Sequence, residues 1–187
     1  MKIKDNKQLF YAIEKMLQGL CYWMGYRYEC YATHAISEAA AVEIAVGILN
    51  SHLNHNLYVV KCESLYTRCG GDSKTKERAD VVIFERKSGS KDLIPCCVME
   101  FKMAQGACGG IWNDISKLSK LPKDVARLAI LLANGNTKVI YDFVDSRTDR
   151  AKRCVKSAVP IHVLRTAKAM ETSCSTHPYR AICVELV

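Results

Sequence analysis

Proline is scarce in this sequence, at 4 of 187 residues, and glycine contributes only 10. So little punctuation excludes collagen-like repeats and long Gly/Pro-rich disordered tracts. Long apolar runs are also missing, for none reaches the roughly 18–20 residues that a membrane-spanning helix needs. The opening seven residues are basic, and the helical pattern after them is interrupted by polar residues, unlike the apolar centre of a signal peptide. The expectation is an unexported, cytoplasmic chain that does not enter a membrane. Metal-thiolate spacing is absent too: the 10 cysteines (21, 30, 62, 69, 96, 97, 108, 154, 174 and 183) form no C-x-x-C. They read as reduced thiols and small buried hydrophobes. Gly70-Gly71 and Gly109-Gly110 lack the Lys-Ser/Thr of a phosphate-binding loop and read as turns.

What is present is the material of one globular domain over residues 1–187, with 49% hydrophobic and 25% charged residues. Lys and Arg number 27 against 19 Asp and Glu, a formal net charge of +8. The excess is concentrated. Arg147, Arg150, Lys152, Arg153, Lys156, Arg165 and Lys168 are set against Asp149 alone in that stretch. Such a cluster fits a polyanion, nucleic acid above all.

Apolar spacing predicts a helix over 6–20 (Leu9, Phe10, Ile13, Met16, Leu17, Leu20) and a second from Ile36 to about Leu53, capped by Ser37. The apolar stripe of the second helix, projected back one turn, meets Glu38 and not Glu43. Three strands follow, at Leu57–Leu65, Ala79–Glu85 and Leu93–Met103, then a helix at Ile111–Leu121 stopped by Pro122. Ala126–Ala133 suits a buried strand, a helix is expected from about Thr137, and Pro160–Arg165 and Tyr179–Val187 close the chain as strands. The class is α/β with a central mixed sheet flanked by helices. The core is expected at about 36–133, with a helical extension over 1–30 and a C-terminal helix and strands over 137–187.

Two of the strands carry charges where an apolar residue belongs. Val98–Met103 is apolar at both parities except at Glu100 and Lys102, which as i and i+2 share one face. Asp80 opens the otherwise apolar run of the preceding strand. If the two strands pair antiparallel, Asp80 comes beside Glu100, and charges in such a place need a partner, a metal or a cleft. Two carboxylates supply hard oxygen ligands for Mg²⁺, with Mn²⁺ as a substitute, and the lysine can orient a water or steady developing negative charge. Lys74, Lys76 and Arg78, just before Asp80, would be well placed to meet a phosphate backbone, and Arg147, Arg150, Lys152, Arg153 and Lys156 are expected to track one by their charge.

Asp80 followed after nineteen residues by Glu100-Phe101-Lys102 resembles the PD-(D/E)XK nuclease superfamily, whose members open the second core strand with Asp and carry Glu-x-Lys on the third. Arg78-Ala79 stands where the pattern begins with Pro. Asn113–Leu118 is similar to the helix that follows Glu-x-Lys in restriction-type members. The resemblance implies an αβββαβ restriction-endonuclease-like core and a Mg²⁺-dependent nuclease, DNA being favoured. It implies Asp80 and Glu100 as metal ligands, Lys102 as the assistant to the nucleophile, and Glu38 as a further carboxylate facing the metal from the first core helix. An RNA-cleaving member and an inert nucleic-acid-binding or interaction module of the same fold are the alternatives. Cutting both strands of a duplex would suit a homodimer.

Overall fold

The computed structural model describes residues 3–30, 37–71, 76–87, 89, 91–103, 109–133, 161–168 and 179–186. After a 3₁₀ turn at Ile3–Asp5 come helices α1 (Lys7–Cys30) and α2 (Glu38–His52) and strand β1 (Tyr58–Leu65). A 3₁₀ helix at Tyr66–Cys69 leads to β2 (Arg78–Arg86), β3 (Leu93–Met103), α3 (Gly109–Ser119) and β4 (Ala126–Ala133). β5 (Ile161–Lys168) and β6 (Arg180–Leu186) complete the described chain. The helix expected from Thr137 lies outside the described residues.

One six-stranded mixed sheet, in the order β1-β2-β3-β4-β6-β5, organises the molecule. β1, β2 and β3 form an antiparallel meander. β3 and β4 pair in parallel, joined by the α3 crossover that such a pair requires. β6 then runs antiparallel to both β4 and β5. Every residue of β4 is buried, which places Ala126–Ala133 as a central strand covered on both faces.

Alternation along the strands feeds two apolar layers. Val81, Ile83, Met99, Phe101, Leu128 and Ile130 face α1 and α2. Val82, Phe84, Val98, Ala129 and Leu131 face Tyr66 and the Ile111, Ile115 and Leu118 stripe of α3. Helix α1 continues ten residues past the predicted end, because Cys21 and Met24 prolong the buried Ile13–Leu17–Leu20 stripe. α1 packs on α2, β5 and β6. Ser37 caps α2 as expected, its Oγ accepting the Ala40 amide at 3.1 Å. Gly109-Gly110, read as a turn, instead forms the first two residues of α3. Among the described residues no helix is long and apolar enough to cross a membrane.

Candidate active site

The β2–β3 register pairs Val81 with Met99, so the next step of the ladder sets Asp80 against Glu100. At that step a side chain replaces the backbone: Asp80 Oδ2 accepts the Phe101 amide at 2.7 Å. The neighbouring strand is strained at the same level. Glu63, between the pairs Cys62–Val81 and Ser64–Ala79, has a φ of 50°, in the left-handed region. Its carbonyl accepts from Arg78 Nη1 at 2.9 Å.

Glu100 is 4% exposed, on the α3 face of the sheet. Tyr66, at the start of the 3₁₀ helix, donates its hydroxyl to Glu100 Oε1. Burial pushes the Glu100 carboxyl up to about 8. The Tyr66 hydrogen bond pulls it down, Asp80 pushes it up, Lys117 opposes and Asp114 adds a further upward push. Burial, with the Glu100 carboxylate next in weight, in turn drives the Tyr66 phenol well above its ordinary range.

Lys102, two residues along the same face, reaches the first turn of α2, its Nζ lying 3.1 and 3.2 Å from the two Glu38 carboxylate oxygens. The approach depends on Gly110, where an added Cβ would stand 2.8 Å from Lys102 Cε. Lys102 Nζ is also 4.0 Å from Asp114 Oδ2 on α3, and Asp114 Oδ1 accepts from Lys117 Nζ at 3.0 Å. Burial alone would lower the Lys117 ammonium. The Asp114 hydrogen bond and the charges of Glu100, Asp114 and Glu77 outweigh it and raise its pKa.

The four residues singled out from sequence therefore converge at one end of the sheet: Asp80 and Glu100 side by side, Lys102 next along the strand, and Glu38 on Lys102. Glu43 is exposed elsewhere on α2. Glu38 binds the lysine and does not form a three-carboxylate set. Among the described residues no three His, Cys, Asp or Glu side chains are grouped to hold a metal. Lys76, just before β2, and Arg78, its first residue, are exposed. Lys74, Arg147, Arg150, Lys152, Arg153 and Lys156 lie outside the described residues. His52 packs its ring edge-on against Tyr11, with centroids 5.8 Å apart.

Three residues of the site were not foreseen. Asp114 had a signal, because it interrupts the inward stripe of Ile111, Ile115 and Leu118 at helical spacing. Lys117 followed from it at i+3. Tyr66 had none, since nothing local marks a tyrosine in a short 3₁₀ turn as the partner of a carboxylate 34 residues on. No family model, curated protein or solved structure matches the chain.

Proposed function

We propose that this protein is a divalent-metal-dependent nuclease with a restriction-endonuclease-like core, hydrolysing phosphodiester bonds, DNA being favoured over RNA. One observation carries the proposal: Asp80 and Glu100 stand together on adjacent antiparallel strands, with Lys102 on the same face two residues on. The order α2-β1-β2-β3-α3-β4 agrees with it.

The residues fit a hard cation. A carboxyl as buried as Glu100 resists ionisation beside Asp80, and a divalent ion between two carboxylates offsets that cost. Four carboxylates here (Glu38, Asp80, Glu100, Asp114) face two ammonium groups (Lys102, Lys117), leaving a negative excess when all are ionised. Asp80 and Glu100 would hold Mg²⁺ or Mn²⁺, which when bound acidifies a water ligand and neutralises charge on phosphate oxygens. Lys102, two residues on along the same strand face, would orient the attacking water or steady a phosphate oxygen. Glu38 anchors the Lys102 side chain from α2. Nucleic acid as partner is supported by the +8 net charge, and a homodimer would supply the second site for double-strand cutting.

A second reading has an observation of its own. Glu38 occupies Lys102 and Tyr66 occupies Glu100, as a nucleic-acid-binding module without turnover would allow. Plasmid, single-stranded DNA and RNA, each incubated with Mg²⁺, Mn²⁺ or a chelator, separate the two. Metal-dependent cleavage lost in Asp80→Asn and Glu100→Gln is expected. Binding without cleavage would favour the module, and cleavage that survives both substitutions would overturn the site.

A further inference from the structure

An Asp and a Lys three residues apart on a helix are ordinarily a solvated surface pair. The pair on α3 differs in three respects. Asp114 is 8% exposed and sits on the inward stripe of its helix. Its two oxygens are divided between two lysines, Oδ1 at 3.0 Å from Lys117 and Oδ2 at 4.0 Å from Lys102. The Lys117 side chain, 29% exposed, lies close enough to Glu100 and Glu77 to feel both charges. One buried carboxylate thus lies against two ammonium groups, one from the strand that carries Glu100 and one from the helix.

Resting on the nuclease reading above, we propose that Lys117 is a second phosphate-contacting lysine of this site and Asp114 the positioning residue that holds it beside Lys102. Hydrolysis of a phosphodiester increases negative charge on its non-bridging oxygens and on the departing oxygen, at separate points in space. Lys102, tied to Glu38 and lying on the strand, serves one side. Lys117, reaching in from α3, serves the other. The ligand class is a nucleic-acid backbone phosphate. In its absence Lys117 donates to Asp114 and Lys102 to Glu38, and a phosphate would compete for those donors.

The test uses the full chain and one labelled oligonucleotide, with cleavage measured in Mg²⁺ and binding measured by anisotropy in Ca²⁺ across a salt series. Lys117→Met should slow single-turnover cleavage about 100-fold, the scale of losing one preorganised donor. It should also flatten the log–log salt dependence of binding by about one unit. Lys117→Arg should restore the salt dependence, and unchanged melting of both variants excludes a folding defect. Asp114→Asn leaves both ammonium charges in place, so it should slow turnover with no loss of affinity, whereas a merely structural role would move melting and not this split. Wild-type cleavage and wild-type salt dependence in Lys117→Met would overturn the proposal while leaving the nuclease reading intact. A wild-type protein that binds but never cleaves would fail that reading alone, and a flattened Lys117→Met slope would then still support the phosphate contact. A wild-type protein that neither binds nor cleaves would end both.

Discussion

Glu100 has a titration that bears directly on stability. Its folded-state value of about 8 lies above the ordinary 4.5 of a carboxyl group. The folded chain therefore keeps a proton that the unfolded chain has lost. Its contribution is full below about pH 4.5 and lost as pH rises through about 8, by at most about 1.4 kcal/mol per unit. Melting of the metal-free protein should fall between pH 5 and 8. Glu100→Gln, which can still accept from Tyr66, should flatten that dependence; an undiminished slope in this variant would show that another group is responsible. Asp80 calls for more careful substitution. Replacing it with Ala removes the acceptor of the Phe101 amide, a loss of about 1–3 kcal/mol, so Asp80→Asn is the cleaner probe of ligation. Asp80, Glu100 and Lys102 were legible because each breaks an apolar strand, a conflict visible in one dimension. The Tyr66 contact is set by the turn after β1, which no local pattern encodes.

Among the elements, α3 and the 3₁₀ helix after β1 do most to shape the site. Gly110 gives α3 room to start against the Lys102 stem. Gly110→Ala should hold or raise melting, since alanine favours helix by up to about 1 kcal/mol. Cleavage should nonetheless fall about 100-fold, because displacing a functional group by about an ångström costs that much. The 3₁₀ helix ends at Gly70, with φ of 83° and the Pro122 ring 2.7 Å from where a Cβ would stand. Gly70→Ala should destabilise by about 1–2 kcal/mol from backbone conformation alone, and it should disturb the segment that carries Tyr66. Thermal melting measures both. The strands and the capped start of α2 could be read from alternation, apolar runs and Ser37. The start of α3 could not: paired glycines signal a turn in isolation, and here they admit a lysine beside a helix.

At the scale of the whole molecule, charge predicts a salt-sensitive grip on nucleic acid. Lys76 precedes β2 and Arg78 opens it, two residues before Asp80, although Arg78 already donates to the Glu63 carbonyl. Their double replacement by Ala should reduce the salt slope of binding by about 1–2 units without changing sequence preference. An unchanged slope would move the backbone contacts to other basic residues. The α/β class followed from element order alone, but the division of the interior into two apolar layers needed the register of all six strands. That division has a consequence for how the native state opens. The layer under α1 and α2 is the larger, while Tyr66 and α3, which carry the partners of Glu100 and Lys102, belong to the other. Amides of β4 and of the buried Cys96–Phe101 part of β3 should exchange with deuterium only through global unfolding. Those of α3 and the 3₁₀ helix should exchange through a cheaper, partial opening that lifts Tyr66, Asp114 and Lys117 away while α1, α2 and the sheet stay folded. A filled site would close that route, so slowed exchange confined to α3 and the 3₁₀ helix would register ligand binding in a protein whose overall melting had scarcely moved.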